Sequence, residues 1–435
     1  MTQRTLGDWL AYLEQLHPSA IDMGLERSQH VLQRLGLGKL APRVVTVTGT
    51  NGKGSTCAFV AALLQAQGLK VGVYSSPHLL HYNERVRIDG VDASDEQLCQ
   101  AFAAVEAARG EISLTYFEMG TLAAFWLFHR SALDAVVLEV GLGGRLDAVN
   151  LVDADLALVT SIGVDHVDYL GDSRESVAFE KAGIFRQGKP ALCGDLLPPQ
   201  PLLDKARELA CPLLLRGRDF DLAETANHWQ WRGRKLDGAA VELHDLPLLD
   251  LPMENAALAL QAYLLMGLPW EAGQVRQALL DTRITGRLDR RALVWNGKRV
   301  ELLLDVGHNP HAAEYLARRL AARAPQGKRL AVFGLLADKD LQGVVAPLQG
   351  LFDNWAVAPL ATPRTRPAAE LAAALTNLGA TVKSYASVEA ALEGQCAQAT
   401  ADDQIVLFGS FFCVGQALEW LERQAPEGGV DGSAG

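Results

Sequence analysis

The chain lacks any run of about 18 uninterrupted apolar residues, the length at which a membrane-spanning helix becomes the natural reading. No segment is therefore expected to cross a bilayer. Cysteine is sparse as well: Cys57, Cys99, Cys193, Cys211, Cys396 and Cys413 are scattered without a Cys-x-x-Cys pair. That spacing disfavours both a zinc ribbon and a secreted disulfide framework and favours buried thiols in a reducing cytoplasm. Positive charge is in deficit, with 40 Lys and Arg against 51 Asp and Glu and a net charge of −11. Nucleic acid and membrane surfaces are thus not expected partners, and an anionic substrate needs a local positive site. The N-terminal stretch MTQRTLGDWLAYLEQLH carries Asp8 and Glu14 among its apolar residues, which argues against a signal peptide. A cytoplasmic location is the expectation.

What is present is a chain of 435 residues, 49% of them hydrophobic, long enough for two or three domains with cores of their own. From Arg43 to Leu209, short Val/Leu-rich runs (RVVTVTG, KVGVYSS, DAVVLEVG, DLALVTSIG, PALCGD) alternate with longer amphipathic stretches. Continuous apolar runs between helices read as buried parallel strands, so a doubly wound α/β domain is predicted. Ser94 and Gln97 have capping-box spacing at a helix start. Between about Cys211 and Leu251 the pattern shortens to pieces such as HWQWRGRKLDGAAVELHDL, which predict small antiparallel hairpins. Helical sequence returns with MENAALALQAYLLMG and EAGQVRQALLDTR. A second α/β series opens at VELLLDVG, with a domain boundary expected close to Gly286. The Gly-rich end, APEGGVDGSAG, is expected to be disordered.

The strongest local signal is VVTVTGTNGKGST, Val44 to Thr56, a strand running through a Gly-rich loop into a helix. Gly49, Gly52 and Gly54 let the backbone fold so that several N–H groups and the helix dipole face one anion, and Lys53 adds a full charge. A polyphosphate is the natural guest. The residue six before Lys53 is Val47, so the loop is shorter than the general G-x-x-x-x-G-K-[ST] pattern. In DAVVLEVGLGG, Glu139 ends another strand, where a phosphate-bound Mg²⁺ needs an oxygen ligand; by itself such a Glu reads as a solvated edge. His166 follows the strand DLALVTSIG, and a lone histidine is more often structural than a ligand. In LLLDVGHNPHAAEYL, Asp305 and His308 follow a strand, with Asn309 placed to cap the next helix and Pro310 in its first turn.

With these segments assembled, the chain resembles the Mur ligase superfamily of ATP-dependent amide-forming ligases. Within it the sequence is similar to the bacterial bifunctional dihydrofolate synthase/folylpolyglutamate synthase family. The likeness runs through VTGTNGKGST, YSSPHL, NERVRIDG, LTYFE, EVGLGGRLDAVN, DHVDYLG, EKAGIFR, ENAALA, TGRLD and LDVGHNPHAA. It implies an N-terminal doubly wound P-loop ATPase domain (1–286) that also holds a pterin and a smaller Rossmann-like glutamate-ligase domain (287–424), followed by the tail 425–435. It implies that Thr50, Asn51, Gly52, Lys53, Gly54 and Ser55 meet the ATP phosphates, with Asn255, Arg287, Asp305 and His308 also on ATP. Ser76 and Glu139 match ligands of a first Mg²⁺, and His166 a ligand of a second that a carbamylated Lys181 completes. Thr115, Tyr116, Phe117 and Glu118, with Leu146, Asp147 and Ala148, fall where dihydropteroate is held. The implied partners are dihydropteroate, reduced folates and L-glutamate, in a reaction that demands no more than a monomer. Relatives often have His where Phe412 stands, and GSFFCVGQA receives no role. A cell-wall Mur ligase is disfavoured because only about 42 residues precede the first strand, too few for a separate UDP-binding domain. A regulatory GTPase is disfavoured by the lack of N-K-x-D.

Overall fold

The computed structural model describes residues 4–424; the tail expected to be disordered lies outside the described residues. The chain divides into two compact units, the second beginning at Arg283. The first is built on a sheet of β1 (Arg43–Thr48), β2 (Val71–Tyr74), β3 (Val86–Ile88), β4 (Val91–Asp92), β5 (Ala135–Glu139), β6 (Leu156–Val159), β7 (Ala191–Cys193) and β8 (Leu213–Leu215), ordered β4-β3-β2-β5-β1-β6-β7-β8. The strands from β2 through β8 in that order are mutually parallel, and β3 and β4 form an antiparallel edge. β5 and β6 are buried along their whole length, as a parallel sheet covered on both faces requires. The chain leaves β1 toward β2 on one side and later passes to β6 on the other. Its topological switch point, where α/β sheets bind ligands, is therefore at the carboxyl end of β1.

Among the covering helices, Asp95–Arg109 starts at Ser94 with the expected reciprocal Ser94–Gln97 capping box. Helix Tyr116–Arg130 leads into β5. One difference from the sequence reading concerns residues 211–215. The apolar run Leu213–Leu215 adds a last parallel strand beside β7, and antiparallel structure begins only at β9 (Asp221–Glu224), followed by β10 (His228–Arg234) and β11 (Ala240–Pro247). Along β10, burial alternates residue by residue and places Trp229 and Trp231 inside. Trp231 donates its indole N–H to the carbonyl of Ala257 at 3.1 Å, fastening the small sheet to helix Met253–Leu265.

The second unit has the sheet β12 (Asp289–Trp295), β13 (Lys298–Asp305), β14 (Arg329–Phe333), β15 (Asn354–Val357), β16 (Val382–Ser384) and β17 (Gln404–Phe408), ordered β12-β13-β17-β14-β15-β16. All neighbours are parallel except β12 and β13. This series thus begins one strand earlier than the expected VELLLDVG, with β12. Asn296 and Gly297, at φ 49° and 78°, join β12 to β13, and two successive positive φ values are what a tight hairpin turn needs. Phe333, Trp355 and Phe408 pack ring against ring in the core of this unit. The fold class is thus the expected one: an N-terminal α/β unit on a largely parallel sheet and a separate, smaller C-terminal α/β unit.

Candidate active site

Register places the loops leaving β1, β5 and β6 at one edge, because Val47 pairs with Glu139 and Thr48 with Val159. The loop after β1 carries Gly49 and Gly52 and runs directly into helix Lys53–Gln65, whose N-cap is Gly52 at φ 86°. Glycine is required there twice: by that φ, and because a Cβ at 52 would stand 2.5 Å from Asn255 Oδ1. Asn255, from helix Met253–Leu265, also donates to Ser55 Oγ at 3.1 Å. Lys53 folds back across the loop, its ammonium donating to the Gly49 carbonyl at 2.9 Å. Gly54 lies against Glu139, with its Cβ position 3.7 Å from Oε2.

Glu139 is buried at the end of β5 and accepts the Ser76 N–H at 3.3 Å, so Ser76, Glu139 and the phosphate loop are neighbours. Lys181 is buried on helix Arg174–Ala182. Burial first, then the nearby Lys53 charge, pulls its amine down to about 7, while Asp165 and Asp147 act in the opposite direction. Lys181 therefore shares one electrostatic neighbourhood with Lys53, Asp165 and Asp147. His166 is half exposed, sits at φ 51° and lies 3.9 Å from Asp165 through Nε2. Among the described residues, no three His, Cys, Asp or Glu side chains gather as a ready-made metal cage.

The segment 115–118 is arranged differently. Thr115 caps helix Tyr116–Arg130 in a reciprocal capping box with Glu118. The buried Glu118 carboxylate also receives Arg27 Nε at 2.9 Å and Ser28 Oγ at 2.6 Å. Both polar side chains are thus engaged by the fold. Phe117 packs on Gly141, where a Cβ would stand 2.6 Å from the ring, and lies 6.0 Å from the Tyr74 ring. Asp147 closes the loop after β5: it accepts Leu142 N–H at 2.8 Å and Val149 N–H at 2.9 Å. Burial pushes its carboxyl up to about 6 against these hydrogen bonds and the Lys53 charge. Leu146 and Ala148 flank it, and the loop is anchored where Arg145 pairs with Glu180 at 2.8 Å.

In the second unit, Asp305 ends β13, His308 follows it, and Arg287, just before β12, lies near enough for its charge to act on the Asp305 carboxyl. Asp305 is buried, accepts Leu288 and Gly307 N–H at 3.0 and 2.7 Å, and has its carboxyl pushed up by burial. His308 bonds through Nδ1 to the Val306 carbonyl at 2.9 Å. Asn309 caps helix Pro310–Ala322 with Pro310 in its first turn, as the motif suggested.

Two models match the chain in sequence: the Mur ligase middle domain over residues 47–193 and the Mur ligase glutamate ligase domain over residues 286–411. The dihydrofolate synthase/folylpolyglutamate synthase of Escherichia coli is 46% identical over 97% of both chains. The chain belongs to the dihydrofolate synthase/folylpolyglutamate synthase family. Among solved structures of this family, E. coli FolC in complex with DHPP and ADP is similar at a TM-score of 0.88 and 45% identity, covering 97% of this chain and 98% of that one. The Yersinia pestis bifunctional folylpolyglutamate synthase/dihydrofolate synthase complexed with AMPPNP and Mn is similar at 0.87 and 45%, covering 96% and 98%.

In this member of the family, the structure brings forward residues that the motif reading passed over. Thr160 and Ser161, just past β6, grip the phosphate loop: the Thr160 hydroxyl donates to the Asn51 carbonyl at 2.5 Å, and Asn51 N–H donates to Ser161 Oγ at 3.0 Å. Hydroxyl residues directly after a strand next to β1 were the signal available. Phe411, from the segment given no role, lies 5.4 Å under the Arg287 guanidinium and 6.1 Å from the His308 ring, while Phe412 is exposed.

Proposed function

We propose that this chain uses ATP to activate a carboxylic acid and joins it to the amine of L-glutamate. The acid is dihydropteroate in one reaction, giving dihydrofolate, and a reduced folate in the other, giving polyglutamates. The observation carrying this reading is the convergence of the Gly-rich loop, Lys53 and Glu139 on one sheet edge. It is supported by the 46% identity to an enzyme bearing both names.

The substrate carboxylate attacks the γ-phosphorus, ADP leaves, and the resulting acyl phosphate is opened by the glutamate amine, releasing phosphate and forming the amide. No enzyme nucleophile is required. Loop N–H groups from Thr50 to Ser55 and the Lys53 charge face the phosphates, so catalysis rests on alignment and electrostatic stabilisation. Asn255 holds Ser55 and the turn at Gly52, fixing the start of the helix that meets the phosphates. Arg287, Asp305 and His308 are the nucleotide-contacting set of the second unit.

The donors at this edge suit Mg²⁺, a hard ion that takes few protein oxygens and leaves its other positions to phosphate and water. Glu139 and the Ser76 hydroxyl would hold one ion, and His166 with Lys181 a second. Bound Mg²⁺ would neutralise phosphoryl charge and orient the transferring group. Lys181 fits that set only as a carbamate, since an ammonium repels the metal. Its buried amine, with a pKa near 7, is substantially neutral at physiological pH and can add CO₂ with loss of a proton. Phe117 and the loop Leu146–Ala148 form the pterin side of the acid site. ADP release measured with ATP, Mg²⁺ and L-glutamate tests the reading: it should require glutamate together with dihydropteroate or tetrahydrofolate. Release with tetrahydrofolate but none with dihydropteroate would leave a monofunctional folylpolyglutamate synthase.

A further inference from the structure

Dihydropteroate and a folate differ at the end that reacts. The first ends in its benzoate carboxylate alone, whereas a folate ends in a glutamate with two carboxylates, one activated and one left behind. A protein that takes both needs somewhere to put the second negative charge.

Arg85 is placed for that charge. Its backbone carbonyl accepts the Ser75 N–H at 3.0 Å, one residue before Ser76, whose own N–H is on Glu139. Its guanidinium lies 5.4 Å from the Tyr82 ring and 5.6 Å from the Tyr116 ring. Tyr116 begins the helix that carries Phe117. Arg85 therefore has its backbone beside the Ser76–Glu139 edge and its guanidinium on the ring of Tyr116, the residue before Phe117. Its Nε–H donates to His78 Nδ1 at 2.7 Å, and the two rings fix the plane of the guanidinium. No carboxylate answers it among the described residues. Glu84, its neighbour in sequence, accepts the backbone N–H groups of Leu79, Leu80 and His81 at 2.7 to 2.8 Å, while the next arginine, Arg87, pairs with Asp92. The side chain is half-buried, and among the described residues its two terminal amino groups take no hydrogen-bond partner, leaving the paired donors that suit a carboxylate.

We propose that Arg85 binds the non-reacting carboxylate of a folate's terminal glutamate and so specifies the folate-extending reaction over dihydrofolate synthesis. This rests on the acid site proposed above. The test is kcat/KM for wild type, Arg85→Met and Arg85→Lys on dihydropteroate and on tetrahydrofolate, with ATP and L-glutamate saturating. Methionine keeps the apolar length of the side chain and removes the charge. Its loss on tetrahydrofolate should exceed its loss on dihydropteroate by about 10- to 100-fold, the range for losing hydrogen bonds to a charged group. Lysine should recover part of that difference. Equal losses on both acids, a larger loss on dihydropteroate, or no loss at all would overturn the proposal. If methionine prevents folding, a lysine variant that loses as much on dihydropteroate as on tetrahydrofolate would do the same. Wild-type protein that turns over both acids while Arg85→Met loses equally on both defeats the Arg85 assignment alone; wild-type protein that extends no folate defeats it together with the site reading.

Discussion

The phosphate loop and the segment 115–118 flank the same candidate site, yet they use their side chains in opposite ways. Around Gly49–Ser55 the backbone is shaped to face an anion, and other elements (Asn255, Thr160, Ser161) hold it there through side-chain hydrogen bonds. In 115–118 the polar side chains hold the fold itself: Thr115 caps its helix and Glu118 ties in Arg27 and Ser28. In the proposed acid site, that leaves Tyr116 and Phe117, with Arg85 alongside, to meet the substrate. A motif match therefore marks a place, and the hydrogen-bond partners decide which residues of the motif can serve chemistry.

The sharpest way to break this contrast is at the phosphate edge. Lys53→Ala and Glu139→Ala should each lower kcat by about 10²- to 10³-fold with little change in melting temperature. A folded variant with near-normal turnover would remove that residue from the phosphoryl step. Lys181→Ala should also lose most activity, and a short carboxylic acid in the buffer should restore part of it by supplying the missing oxygens. The same lysine predicts a pH effect: after CO₂ is stripped out, recovery at a fixed concentration of dissolved CO₂ should be faster above pH 7, where the amine is neutral, and slow below it.

At 115–118 the expected effect falls on stability. Glu118→Gln should reduce unfolding free energy by about 1.5 to 3 kcal/mol, the range for hydrogen bonds to a charged group, read by denaturant titration. Its kcat/KM with dihydropteroate should fall less than that of Lys53→Ala. A fully stable Glu118→Gln with a large loss of kcat would put the carboxylate back in the substrate site. The smallest effect concerns Asp147, whose carboxyl is raised in the folded state from its ordinary 3.8 to about 6. The folded state thus binds that proton more tightly than the unfolded chain. The stability so gained is fully present below about pH 4 and is lost as pH rises through about 6. The stability of wild type relative to Asp147→Asn should therefore fall from pH 5 to pH 8; a relative stability that rose over that range would contradict the assigned direction.

Much of the first unit was legible because its signals are local. Apolar runs with turn residues between them specify parallel strands, and Gly52-Lys53-Gly54 after β1 specifies the loop. The Leu213–Leu215 strand was harder, since three residues carry no period that separates a parallel strand from one arm of a hairpin. β12 was missed although its Asn296-Gly297 turn is a strong hairpin signal, because the flanking residues Arg290, Arg291, Arg299 and Glu301 obscure the alternation. Among the candidate site residues, those argued from backbone shape or charge were readable. Those that act by contact across the sequence, Thr160 on Asn51, Phe411 under Arg287 and Glu118 on Arg27, were not, because nothing in one stretch of chain records its distant partner.

The central claim is that the acid itself attacks ATP and that its oxygen leaves with phosphate. Dihydropteroate labelled with heavy oxygen in its carboxylate tests this directly when turned over with ATP, Mg²⁺ and L-glutamate. One labelled oxygen should appear in the inorganic phosphate for each dihydrofolate formed. Phosphate free of label, with dihydrofolate still accumulating, would contradict an acyl phosphate and with it the roles given to Lys53 and Glu139.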